Sequence, residues 1–240
     1  MPSYATAQHT GDRSHQCAAA AVSTSREGVR AHVLLDGGGD SAEVRERTVT
    51  AARRLARAAA RSGDGEQALR RLHTAHRAER AGAGPRPHQD LPGTRALVAV
   101  TVPGRPLLTV AWCGDVRAYR MDEDRQVHLL TLDEDPNRDH PCDASCPDST
   151  GDGARAHRGH RAVGTATAPA AGRLVLMTHG AYDPHQQVRH PLDDLLTGTP
   201  AQAATALVHT AVHRSYTVAR FEHRRPCADN ATALVADLRP

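Results

Sequence analysis

The chain has 240 residues, enough for one substantial hydrophobic core, and no break in composition divides it, so a single domain over 1–240 is expected. All 30 basic residues are Arg, there is no Lys and no Ile, and against 27 acids the net charge is only +3. Because the Arg residues mingle with acids in segments such as Ser41 to Arg61, nothing in the charge supports nucleic-acid binding.

The opening stretch, MPSYATAQHTGDRSHQ, lacks the basic start and apolar core of a signal peptide. No run approaches the roughly 18 apolar residues of a membrane span, so a cytoplasmic protein with no membrane partner is expected. In a reducing compartment the 5 Cys, an odd number, read as buried thiols or ligands and not as bridges. Ala18 to Val22 and Ala31 to Leu35 are apolar runs separated by a polar turn around Glu27-Gly28, which predicts a hairpin. A helix follows. Asp40 with Glu43 three places on reads as its capping box, and Val44, Thr48, Ala52, Leu55 and Ala59 recur at helical spacing. Arg53, Arg54, Arg57 and Arg61 then form its solvated face.

A second helix opens near Asp64 with Gln67, carries Ala68, Leu69, Leu72, Ala75 and Ala78, and ends at Gly82 to Pro85. Four strands come next: Ala96 to Val102, Leu107 to Cys113, Val116 to Met121 and Val127 to Thr131. Their short spacings predict an antiparallel meander, with Trp112 and Tyr119 in the core. From Asp133 to Arg161 periodicity vanishes, which suits a lid or a disordered segment. That segment holds His140, Cys142, Cys146, His157 and His160, zinc-type ligands at rough zinc-type spacing, but 16 His in one chain produce such coincidences by composition.

Regular structure resumes with a strand at Arg173 to Thr178. A helix begins at Thr199-Pro200 with Gln202 and continues through Ala203, Leu207, Ala211 and Val212 toward Ala219; a final strand covers Thr232 to Leu238. Strand groups separated by paired helices argue for an α+β layered sandwich and against a parallel βαβ series. Apolar runs repeatedly close on Gly-containing polar turns, at Asp36-Gly37, Gly114-Asp115 and His179-Gly180, and Asp229-Asn230 opens the last run. Three strand-end carboxylates and one strand-end histidine predict a polar cluster at one edge of a sheet core.

In order and spacing these segments resemble the metal-dependent protein phosphatase family, the PPM or protein phosphatase 2C-like type. LLDGGGD at Leu34 to Asp40 resembles its Asp-Gly-x-Gly-Gly turn, and GTRALVAV at Gly93 to Val100 its Gly-[Ser/Thr]-Thr strand. LLTVAWCGDVRAYR at Leu107 to Arg120 resembles its Gly-Asp-Ser-Arg strand, with Val116 where Ser is preferred. LVLMTHGAYD at Leu174 to Asp183 resembles its Leu-Leu-x-Ser-Asp-Gly-Leu-x-Asp motif, and DNATALVADL at Asp229 to Leu238 its Asp-Asn-x-Thr strand. The match spans nearly the whole chain.

The resemblance implies a four-layer αββα sandwich, two antiparallel sheets flanked by helices, with the irregular loop at about 133–161 in the place of the family's flap. It implies a hydrolase removing phosphate from phosphoserine or phosphothreonine with two Mn²⁺ or Mg²⁺ ions that activate a water. Asp36 would bridge both ions, the Gly37 carbonyl would bind one, Asp229 would bind the second, and Asp115 and Asp183 would serve an auxiliary ion. Arg13, in TGDRSHQC, would clamp the phosphate. The partner implied is a phosphorylated protein or one linked to a kinase. Two departures stand out: His179 replaces the motif's Asp, and His15-Gln16-Cys17 stands where the family has Asn-Glu-Asp. Both remove negative charge, which predicts weaker metal binding and either attenuated phosphatase activity or a non-catalytic module that binds phosphoproteins or kinases.

Overall fold

The computed structural model describes residues 3–82, 95–131, 163–188, 191–221 and 227–238. Ten strands and four helices follow in order: β1 (Tyr4–His9), β2 (Ala18–Thr24), β3 (Arg30–Asp36), α1 (Ala42–Ser62), α2 (Gly65–Gly82), β4 (Arg95–Thr101), β5 (Leu107–Cys113), β6 (Val116–Met121), β7 (Val127–Leu129), β8 (Gly164–Pro169), β9 (Gly172–Thr178), α3 (His179–Gln187), α4 (Pro200–Phe221) and β10 (Ala231–Leu238). They form two five-stranded sheets, ordered β1-β10-β9-β6-β7 and β2-β3-β4-β5-β8, with antiparallel pairing throughout.

Alternation along each strand sorts the side chains into layers. On β3, Ala31, Val33 and Leu35 face α1 and α2, where they meet Ala52, Leu55, Ala59 and Leu69. Leu34, from the other face, enters the seam between the sheets with Leu97, Val110, Trp112, Leu174, Leu176 and Leu234. Beyond the second sheet, Val175, Met177, Ala233 and Val235 pack on α3 and α4 through Tyr182, Leu207 and Val208. The layers therefore run helix, sheet, sheet, helix, and the expected αββα sandwich is observed. Trp112 and Tyr119 are buried as expected, and Arg53, Arg54, Arg57 and Arg61 are exposed.

Several expectations change. The central strands are no meander: β5 pairs with β8 in one sheet and β6 with β9 in the other, so the chain crosses the sandwich at Gly114-Asp115. Gly114 takes φ +75°, a left-handed turn that redirects the chain between sheets where a hairpin would have kept it in one. The cap of α1 is Ser41, whose hydroxyl accepts from the Val44 amide at 3.2 Å. Asp40 is drawn away by the Ser14 and His15 amides, at 2.8 and 2.7 Å. Ala75, placed on the apolar stripe of α2, is exposed, since that helix meets the sheet through Ala68, Leu69 and Leu72. Strands β1 and β8 and helix α3 were not foreseen. The segment at 133–161, with His140, Cys142, Cys146, His157 and His160, lies outside the described residues, as does the side chain of Ala78.

Candidate active site

Asp36 is the last residue of β3 and shares parity with Leu34, so its carboxylate points to the end of the seam between the sheets. From the opposite sheet, β9 ends at Thr178 and hands over directly to α3, whose first residue is His179. The next residue must be Gly: a Cβ at Gly180 would stand 2.4 Å from the Asn230 carbonyl oxygen and 3.2 Å from the Asp229 Cβ. That close approach brings His179 beside Asp229, just ahead of β10. Gly37 is equally constrained, since a Cβ there would meet Thr48 Oγ1 at 2.2 Å and the Cys17 carbonyl oxygen at 2.8 Å. Both turns of the site are thus built on absent side chains.

The carboxylates are held by the chain's own donors. Arg13 Nε donates to Asp229 Oδ1 at 2.9 Å, and the Asn230 amide reaches the same oxygen at 2.7 Å. Arg95 donates from a terminal nitrogen to Asp36 Oδ2 at 3.3 Å. Asp115, in the crossover, accepts from the Tyr182 hydroxyl, and its other oxygen lies 3.6 Å from His179 Nε2. Asp183 sits one turn into α3, and its side chain accepts from Gln187 Nε2 at 2.5 Å. Asp36, His179, Asp229, Arg13 and Asp115 are brought to one region, whereas Asp183 is tied along its own helix. Arg95 is the participant that sequence reasoning missed.

Burial above all pushes the Asp36 carboxyl above its ordinary range; Arg95 pulls it down, Asp229 pushes it up again and His179 pulls it down. The influence of Asp229 and His179 on this one carboxylate reports their nearness across the seam. At Cys17 burial is again the first cause and raises the thiol, with help from Asp40. The positions where acids were absent in the sequence have become tethers. Gln16 Nε2 donates to Thr232 Oγ1 at 3.2 Å, and the Cys17 amide donates to Asn230 Oδ1 at 2.7 Å, tying the approach to β2 to the start of β10.

Two carboxylates, Asp36 and Asp229, with the His179 imidazole and the Gly37 carbonyl, are donors of the type a single Mn²⁺ or Mg²⁺-class ion accepts. A second ion would need carboxylates that Gln16 and Cys17 do not supply. As the side chains lie, no three His, Cys, Asp or Glu among the described residues are grouped to hold a metal ion. Each of the two Arg contacts takes one oxygen of its carboxylate instead. Among the described residues no helix is long and apolar enough to cross a membrane.

A two-sheet αββα sandwich with strand-end aspartates gathered at one end of the seam is the architecture of the metal-dependent protein phosphatases. Residues 7–140, more than half of the chain, match the family model described as protein phosphatase 2C, and the chain belongs to that family. The family is metal-dependent. Among solved structures, PppA, described as a key regulatory component of T6SS in Pseudomonas aeruginosa, is similar at 17% identity and TM-score 0.68, over 98% of this chain and 97% of that one. The serine/threonine phosphatase Stp1 from Staphylococcus aureus is similar at 16% identity and TM-score 0.67, over 100% and 96%. RsbX in complex with magnesium is similar at 13% and 0.60, over 98% and 94%. At these identities the likeness establishes the fold. No curated protein sequence matches the chain.

Proposed function

We propose that this chain is a protein serine/threonine phosphatase of attenuated activity, working on phosphorylated proteins with a single weakly held Mn²⁺ or Mg²⁺. The observation that carries the reading is the convergence, from four separate segments, of Asp36, His179, Asp229 and Arg13 at the end of the seam. Asp36, Asp229, His179 and the Gly37 carbonyl would hold the ion, with Asp115 beside His179, and Asp183 would have an auxiliary place. The ion supplies, when bound, a Lewis acid and a water of lowered pKa. Arg13 spends Nε on Asp229, which leaves its two terminal nitrogens as the edge that grips two phosphate oxygens. His179, an imidazole where the family has a carboxylate, contributes a donor but no negative charge, and this is one source of the attenuation.

A second reading is favoured by the Arg95 contact with Asp36 and the Arg13 contact with Asp229, which already neutralise both carboxylates. On that reading the site binds a phosphorylated or kinase-linked partner without turning it over. One set of assays separates the two. With millimolar Mn²⁺ and a phosphoserine peptide, slow turnover is expected, Asp36→Asn should lower it by about 100-fold, and His179→Asp should raise it by roughly 10-fold. Turnover by the wild type no faster than by Asp36→Asn, with peptide binding retained, would leave the binding reading alone.

A further inference from the structure

Asp36 and Arg95 are directly opposite residues of the β3–β4 ladder. Opposite residues of an antiparallel pair present their side chains on the same face, so their ion pair follows from strand register and is not an accident of two long side chains meeting. Every other residue of β4 from Ala96 to Val100 is small or apolar and buried; Arg95, the first, is the charged one. In the Gly-[Ser/Thr]-Thr strand that this segment resembles, the position of Arg95 belongs to Thr. A neutral, short side chain has been replaced by a cation aimed at the carboxylate that the metal reading makes most important.

The consequence follows from charge. Asp36 and Asp229 together carry two negative charges, and Arg95 and Arg13 together carry two positive ones, so a dication approaching this pair of carboxylates meets a net charge near zero, with Asp115, beside His179, the remaining acid of the cluster. Arg13 has a phosphate to bind in any version of the site. Among the described residues the ion-pair partner of Arg95 is Asp36. The exposures differ in a useful way: the Asp36 side chain is 12% exposed and the Arg95 side chain 32%, so the carboxylate is fixed in the seam while the guanidinium lies at its mouth with water to retreat into.

We propose that Arg95 is an internal counter-cation that competes with the divalent ion for Asp36, so that metal enters this centre only by displacing a guanidinium. The inference rests on the metal reading above and assigns to one residue a cause of weak metal binding separate from the loss at His179. Arg95 is a positioning residue here: it acts through Asp36 and touches neither ion nor phosphate.

Calorimetric titration of Mn²⁺ into the metal-free protein tests it without any activity measurement. Arg95→Thr should bind Mn²⁺ at least about tenfold more tightly than wild type, because a unit positive charge a few ångströms from the ion has been removed. Arg95→Gln serves the same purpose if the threonine variant fails to fold. Arg95→Lys, which keeps the charge, should stay near wild-type affinity, and Arg95→Thr combined with Asp36→Asn should lose the gain. Equal or weaker binding by both neutral variants, in a wild type that does bind Mn²⁺, would overturn the role of Arg95 and leave the metal reading intact. Equal gains in the lysine and threonine variants would overturn the charge argument. Absence of any Mn²⁺ binding in wild type and neutral variants alike would overturn both this inference and the metal reading.

Discussion

His32 lies on β3 between Ala31 and Val33, with a parity that puts it on the seam side with Leu34, and only 1% of it is exposed. Neither ring nitrogen has a hydrogen-bond partner among the described residues; Tyr4 meets the ring edge-on with centroids 6.3 Å apart. Burial, assisted by the nearby Arg30 charge, lowers its pKa from 6.5 to about 4. Between those values the unfolded chain binds a proton that the folded one refuses, so this residue's share of stability is whole at neutral pH and declines as pH falls through 6.5, levelling off below about 4. The loss amounts to about 2 kcal/mol by pH 5. Asp36, whose carboxyl is raised mainly by burial, works in the opposite sense, since the folded state holds that proton more firmly than the unfolded one. The His32 contribution is therefore read as a difference. His32→Leu removes two unpaired buried nitrogens and should stabilise the fold by about 1 kcal/mol at pH 7, with a margin over wild type that widens by about 2 kcal/mol at pH 5 in urea titrations. A margin independent of pH would refute the assignment.

At the scale of elements, the start of α1 carries two neighbouring side chains with different tasks. Ser41 caps the helix through the Val44 amide, and Ser41→Ala should cost about 1 kcal/mol without touching the site. Asp40 instead binds the Ser14 and His15 amides and so anchors the loop that presents Arg13. Asp40→Ala is expected to weaken phosphopeptide binding more than it lowers the melting temperature, whereas Ser41→Ala does the reverse; a calorimetric melt and a peptide titration on both variants decide it. An Asp followed three places later by Glu satisfies the sequence pattern of a capping box whatever the carboxylate finally binds, and so Asp40 reads as the cap that Ser41 is. Strands with dense apolar runs, such as β3, β4 and β9, were legible for the opposite reason: both of their faces are buried. Strands β1 and β8 lie at sheet edges, half-exposed and mixing Ala with polar residues, so YATAQH and GTATAP carry no apolar run to find. Helix α3 contains Gly180 and Pro184 and is held by packing of Ala181 and Tyr182, not by propensity. Of the site, Asp36, His179, Asp229 and Arg13 were legible as strand-end or motif residues. Arg95 was not, since only the register with Asp36 reveals what a strand-opening Arg faces.

For the whole molecule, the position of the site makes its integrity a property of both sheets at once. Asp36 comes from the sheet of β2-β3-β4-β5-β8, and His179 and Asp229 flank strands of the other, so the cluster exists only while the seam is closed. Leu34, Leu97, Val110 and Trp112 from one sheet and Leu174, Leu176 and Leu234 from the other fill that seam, all of them buried. Neither sheet can keep its inner face dry without its partner, so the two sheets are expected to unfold as one cooperative unit. The 1 Trp of the chain stands in the seam at 5% exposure, so its fluorescence reports sheet-to-sheet packing, while far-ultraviolet circular dichroism is dominated by the outer helices. The two signals should fall together in a single denaturant transition. Leu234→Ala, a cavity made on the sheet that does not carry Trp112, should shift both midpoints equally and cost about 2–5 kcal/mol. If Trp112 fluorescence kept its midpoint while the helical signal moved, each half would hold its own core, and the polar cluster at their junction would be able to open without unfolding either one.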